Sequence, residues 1–228
     1  MPPDPSTLIT TRQALHAVAE HVLAAELYRW NGHIGLRQSP GGFGTPIVEV
    51  DGVARQLRVE GIELISLTGE DERRIPLTTI GEVAAAAGVE PGGPATVYTL
   101  ATPLDLGARL DVDPGSAALL ADWYEISADA LAHLAARSAG ASNAQLWPEH
   151  FDLGLQIGEV NYGSSPGDAD HALPYLYVGP WKPGPVGGFW NESFGATVPW
   201  SIDLTPSEAT EFFETGQREA AALAKSQA

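Results

Sequence analysis

The stretch Leu146–Trp200, LWPEHFDLGLQIGEVNYGSSPGDADHALPYLYVGPWKPGPVGGFWNESFGATVPW, decides how this chain is read. More than half of the aromatic side chains fall inside it: Trp147, Phe151, Tyr162, Tyr175, Tyr177, Trp181, Phe189, Trp190, Phe194 and Trp200. Glycine and proline interrupt it repeatedly, so it must fold as short strands joined by tight turns. Tyr175 and Tyr177 alternate with Leu176 and Val178. One face of that strand belongs to a core, and the tyrosine face either lines a pocket or covers a helix. The run Trp181–Gly188 reads as a loop over one end of the sheet.

Strong helix signals flank the stretch. On the N-terminal side, Asp113-Pro114 supplies a capping carboxylate and a first-turn proline, and a helix should run from there to about Ser138. On the C-terminal side, Thr205-Pro206-Ser207-Glu208 opens a helix docked by Phe212 and Phe213. The N-terminal half shows the same ingredients. Residues 1–9 read as a loose tail. Thr11 then caps a helix with Leu15, Val18, Val22, Leu23 and Leu27 on one face. His16 and His21 are expected to be partly exposed on it. Trp30, Gly32, Ile34 and Leu36 have strand spacing.

The glycine-rich Ser39–Pro46 lacks the following Gly-Lys-Ser/Thr of a phosphate loop and reads as a hairpin connection. Strands are expected over Ile47–Val50, Arg55–Val59 and Ile62–Leu67, with Glu70–Arg74 a charged turn. Thr79 and Glu82 form a capping box for a helix over Ile80–Ala87, ended by Gly88. Residues 90–94 form a linker, and two more strands are expected over Thr96–Ala101 and Leu106–Asp111. Strands outnumber helices and do not alternate with them, which predicts an α+β fold. Mainly antiparallel sheets would pack against two long helices and a C-terminal one. The expected unit is a single domain over residues 10–225. A long helix followed by a Ser-Pro-Gly turn (Ser39-Pro40-Gly41, Ser165-Pro166-Gly167) recurs, consistent with diverged halves over 10–90 and 113–225.

Composition narrows function. With no cysteine, thiolate metal sites, disulfides and a cysteine nucleophile are excluded. A net charge of −17 repels nucleic acid and anionic membrane surfaces. Lys182 is the only basic residue between Arg137 and Arg218, which removes aromatic stacking on single strands. No apolar run spans a bilayer and the N-terminus lacks a signal-peptide pattern, so a soluble cytoplasmic protein is expected.

The chemistry-bearing residues gather in two short runs, Glu149-His150-Phe151-Asp152 and Asp168-Ala169-Asp170-His171. On a strand, His150 and Asp152 would point the same way. Together with Asp168 and His171 they offer nitrogen and oxygen ligands for a metal. Alternatively, His150, Asp152 and His171 serve acid–base catalysis, with Trp147 and Phe151 desolvating His150. There is no Gly-x-Ser-x-Gly elbow. The aromatic reading instead makes Trp147, Tyr162, Tyr175, Tyr177, Trp181 and Trp190 the wall of a ligand pocket.

The order of Gly32-His33-Ile34-Gly35-Leu36-Arg37, Phe151-Asp152-Leu153-Gly154-Leu155, Tyr175–Trp181, Phe189-Trp190-Asn191 and Phe194-Gly195, closed by the Phe212-Phe213 helix, resembles a family of uncharacterised bacterial proteins of actinobacterial type, known only as a domain of unknown function. The likeness runs from Ala14 to about Leu223. In the family's commoner members the aspartate recurs and the position of His150 is not histidine, which speaks against a ligand role for His150. The resemblance implies one continuous unit and carries no activity or cofactor.

The sequence therefore points first to a protein binding a small, partly apolar ligand. A metal-assisted or His/Asp acid–base enzyme is the alternative, and an aromatic surface for a partner subunit is a third. Cofactor and oligomeric state stay open.

Overall fold

The computed structural model describes residues 4–227 and has an α+β fold with two antiparallel sheets. The chain divides into two compact units: residues 1–122 with 146–151, and residues 123–145 with 152–228.

The first unit opens with α1 (Pro5–Val18), a π-helical turn (Ala19–Ala24) and α2 (Ala25–Asn31). The helix starts earlier than Thr11. Asp4 accepts the N–H of Ser6 at 2.9 Å and Pro5 occupies the first turn. Residues 5–9, expected as a tail, thus form the first turns, and Leu8 is buried; residues 1–3 lie outside the described part. Thr11 is instead buried inside the helix, where its hydroxyl accepts the Asp113 N–H at 3.0 Å. At the other end Trp30 is helical rather than in a strand, and Gly32 closes the helix at φ +76°. Position C′ of a helix favours that left-handed conformation, which glycine adopts without a Cβ clash.

The first sheet follows: β1 (Arg37–Ser39), β2 (Gly42–Gly44), β3 (Val48–Val50), β4 (Val53–Glu60), β5 (Glu63–Thr68) and β6 (Asp71–Pro76). Its order is β1-β2-β4-β5-β6, with β3 also paired to β4. The Ser39–Pro46 run, read as a hairpin connection, contains a hairpin of its own, β1 and β2 turning at Pro40-Gly41, and Asp51-Gly52 turns with both residues at positive φ. The charged run expected as a turn is strand β6. Its outward side chains join a ladder in which Arg58 and Arg74 meet Glu60, Glu63 and Glu72. Charge compensation across neighbouring strands lets so polar a sequence hold an edge position.

Helix α3 (Ile80–Ala87) matches its sequence signals residue for residue: Thr79 Oγ1 accepts the Glu82 N–H at 3.2 Å and Gly88 closes it at φ +73°. The two strands expected over 96–101 and 106–111 do not form. That segment is irregular: its one β-bridge is Thr79–Arg109, and Leu106 and Leu110 bond the backbone of Gly81 and Thr78 at 3.0 and 2.7 Å. Side-chain carboxylates accept some of its N–H groups, those of Ala101, Thr102, Gly107 and Ala108. The unit is completed by Leu146–Phe151. Leu146 exchanges two backbone hydrogen bonds with Leu36, at 2.9 Å each.

Helix α4 (Pro114–Ala136) gives its first turns to the first unit and its remainder to the second. Asp113 Oδ2 accepts the Ser116 N–H at 2.8 Å, the cap expected from Asp-Pro. The second unit continues through β7 (Gln145–Trp147), where the chain passes to the first unit, and returns at Asp152. Strands β8 (Asp152–Ile157), β9 (Val160–Ser165), β10 (Tyr175–Pro180) and β11 (Ala196–Pro199) lie in the order β11-β10-β9-β8. Helix α5 (Pro206–Gln227) carries the reciprocal Thr205–Glu208 box. Leu176 and Val178 are fully buried beneath it. A Cβ on Gly216 of α5 would stand only 2.5 Å from a Val178 methyl, so glycine there sets how closely helix and sheet approach. Phe213 meets Tyr162 edge-on at 6.4 Å.

Candidate functional site

The tyrosine face of β10 is where the second unit concentrates its polar chemistry. Tyr177 pairs with Gly163 of β9, and Gly163 with Gly154 of β8. Those two glycines leave a bare track across two strands, and the Tyr177 ring lies along it. A Cβ at Gly163 would fall 2.5 Å from the phenol oxygen, and one at Gly154 3.0 Å from it. The ring thereby reaches Asp152 at the start of β8 and donates its hydroxyl hydrogen to Oδ2. Burial, followed by the Asp152 charge, holds the Tyr177 phenol far above its ordinary range. Two residues away, Tyr175 donates to Asp168 Oδ2 at 2.6 Å, and the two rings are 6.4 Å apart. Burial and the Asp168 bond push the Tyr175 phenol up as well. Both tyrosines are therefore neutral donors, unsuited to act as phenolate bases.

Asp168 organises the loop before β10. Its Oδ1 accepts the backbone N–H of Asp170 at 2.8 Å and of His171 at 2.7 Å. Its own N–H donates to the His171 carbonyl at 2.8 Å. Burial works against the Asp168 carboxylate, yet the Tyr175 hydroxyl and the two N–H groups outweigh it and hold the pKa below the usual range. This turn presents His171. The imidazole packs on Tyr175 at 4.7 Å, with Nδ1 3.5 Å from Asp168 Oδ1 and Nε2 3.2 Å from Glu192 Oε1. Glu192 is placed by the turn that bridges it to Gly195. Its neighbour Asn191 clamps the same turn to β11, donating to the Thr197 carbonyl at 3.0 Å and accepting the Thr197 N–H at 2.8 Å. His171 and Glu192 each keep about a third of their side-chain surface exposed, 31% and 33%.

Of the residues singled out from sequence, Asp152, Asp168, His171, Tyr175 and Tyr177 come together here. Others do not. His150 and Asp152 do not share a strand face: Phe151 between them sits at φ +55° and β8 begins only at Asp152. His150 is an exposed turn residue of the first unit. Trp147 also belongs to that unit. Tyr162 is core, packed on Phe213 with its phenol pushed up to about 12 by burial. Trp190 is 9% exposed and meets Phe189 edge-on at 5.0 Å. Trp181 is 57% exposed on the loop it was read to occupy. The aromatic residues are thus distributed between core and surface. No group of three His, Asp or Glu side chains suited to a metal occurs among the described residues.

Two features escaped the sequence. Glu192 lies in a Trp-Asn-Glu run with no recognisable spacing to His171. The other is in the first unit, where the π-helical turn carries two fully buried polar residues, Glu20 and His21, against the expectation of an exposed His21. Glu20 Oε1 accepts the Ala101 N–H at 3.0 Å; Oε2 accepts the Thr102 N–H at 2.7 Å and its hydroxyl at 2.5 Å. His21 Nδ1 accepts the Gly93 N–H at 3.2 Å, so the ring proton is on Nε2, facing the Thr102 carbonyl at 3.1 Å and hydroxyl at 3.0 Å. These bonds stand in for the missing strand pairing of the irregular 93–102 segment. His16 stacks on Phe151 at 5.1 Å and its Nε2 donates to the Pro148 carbonyl at 2.7 Å, while burial lowers its pKa. Comparison of the chain with family models, with curated proteins and with solved structures finds no match.

Proposed function

We propose that the second unit binds a small, partly apolar ligand beside the His171–Glu192 pair and that this pair serves as its acid–base group. One observation carries the reading. A part-exposed imidazole is braced on one nitrogen by Glu192 and set near Asp168 on the other, and both carboxylates are fixed by backbone turns. Such bracing orients the ring and fixes which nitrogen faces the ligand. The apolar part of the ligand would lie against Tyr175, and the neutral phenols would serve as fixed donors that keep Asp168 and Asp152 in place. Direct metal ligation by His150, Asp152, Asp168 and His171 has no such support: His150 is an exposed turn residue that shares no strand face with Asp152.

The test is a saturation-transfer screen of metabolites against the intact protein, repeated with His171→Asn and Glu192→Gln. Hits at this site are lost in both variants and kept in Trp181→Ala. Hits indifferent to both substitutions would remove the reading. A partner surface is the second reading, favoured in the second unit by the exposed Trp181, Val186 and Phe194, at 57%, 62% and 40%. A mass in solution that falls on Trp181→Ala would support it.

A further inference from the structure

The irregular segment 101–111 of the first unit forms one wall of a groove, and α1 forms the other. The groove encloses about 470 Å³, within the range of small-molecule sites of about 300–1,000 Å³. Its floor is apolar: Ala14 and Ala17 of α1, with Ile80 and Leu110. Small side chains on the helix leave the space open, and the buried Glu20 and His21 keep the wall from collapsing into it. They grip Thr102 by its N–H, hydroxyl and carbonyl from inside the π-helical turn. Burying a carboxylate and an imidazole together costs several kcal/mol of desolvation. Their expense is understandable if the position of this wall matters, and π-helical turns recur at functional sites.

The rim decides the ligand's charge. Asp105 Oδ1 accepts the N–H groups of Gly107 at 2.9 Å and Ala108 at 3.1 Å, which fixes the carboxylate on the lip of the groove. Arg109 turns to Asp111, with Nε 3.6 Å from Oδ1, and so those two charges offset each other. One negative charge is left over, on a chain of net charge −17. We infer that this groove binds an organic ammonium ion with an apolar body, the body on Ala14, Ala17 and Leu110 and the cation at Asp105.

The experiment uses the intact ¹⁵N-labelled protein and three matched probes: 2-phenylethylamine, 2-phenylethanol and 3-phenylpropionate. The amine should shift the amides of residues 101–110 in a saturable way, the alcohol more weakly, and the anion not at all. Asp105→Asn keeps the turn acceptor and removes the charge, and should weaken the amine by about fivefold, the factor for an exposed ion pair. Ala17→Phe fills the floor and should abolish binding; where that variant does not fold, Asp105→Asn decides. His171→Asn should change nothing here, which separates this site from the one in the second unit. No shift with the amine overturns the inference, and so does an equal response to all three probes or an amine affinity untouched by Asp105→Asn.

Discussion

Replacing Glu20 by Gln keeps the shape of the side chain and removes one acceptor from the anchor of the 93–102 segment. Glu20 accepts three hydrogen bonds, at 3.0, 2.7 and 2.5 Å, with no exposed surface. If the amide oxygen keeps the two Thr102 donors, its NH₂ group faces the Ala101 N–H. That N–H is then orphaned, at about 1–3 kcal/mol, and the two surviving bonds fall from charged to neutral strength, at about 1 kcal/mol each. A neutral amide is cheaper to bury, which offsets part of the loss. The expected net cost is about 2–3 kcal/mol. Native-state hydrogen exchange reads it where it acts: the amides of Ala101 and Thr102 should exchange about 30- to 150-fold faster than in the parent protein. Thr102→Val, which removes one hydroxyl and leaves the N–H, should cost about 1 kcal/mol and accelerate the same amides by about fivefold. Exchange at Ala101 and Thr102 within about twofold of the parent in Glu20→Gln would refute the claim that this carboxylate holds the segment.

Other consequences can be checked as directly. Tyr98 Oη is shielded from water without a hydrogen-bond partner, so Tyr98→Phe should leave stability unchanged or raise it by about 1 kcal/mol in urea unfolding. Gly163→Ala forces the Tyr177 ring off its track and should cost about 3 kcal/mol; in a Tyr177→Leu background the same change should cost less, a coupling that a double-mutant cycle measures. Tyr98, Tyr162, Tyr175 and Tyr177 have raised pKa values in the folded chain, so stability they contribute below their unfolded pKa declines as pH rises past about 10. Phenolate absorbance from these four should appear together with alkaline unfolding. Asp168 has the opposite sign. Its depressed pKa gives stability that is present above the ordinary carboxylate range and lost as pH falls from about 4 through the lower folded value. Asp168→Asn should remove that part of the acid-side slope.

Helix ends were the most readable features of this sequence, because a cap is a local bargain between neighbours. Thr79 with Glu82, Asp113 with Ser116 and Thr205 with Glu208 all bond as their spacing implies. The alternation Tyr175-Leu176-Tyr177-Val178 likewise placed the core face correctly. Where satisfaction came from far along the chain, local pattern misled. Residues 96–111 read like strands, but the N–H groups of Ala101 and Thr102 are taken by Glu20, and that of Gly93 just before them by His21, more than seventy positions earlier. The same long reach turned His21 from an expected surface residue into a buried one. At the candidate site, Asp168 and His171 stood out because they are close in sequence, whereas Glu192 reaches His171 only through the Asn191–Thr197 clamp. His150 was misplaced by one backbone angle: the positive φ of Phe151 ends any strand running through it.

The chain crosses between its two compact units three times, after Asp122, Gln145 and Phe151. A ribosome that has released residues 1–122 has therefore not yet released what completes the first unit. Leu146, wholly buried and bonded to Leu36, and Phe151, packed on His16 and Phe43, emerge only after the second half of α4. An N-terminal fragment ending at 122 would display the unfilled seat of those residues as sticky surface. Supplying the hexapeptide 146–151 in trans is the minimal complement that the nascent chain itself must wait for.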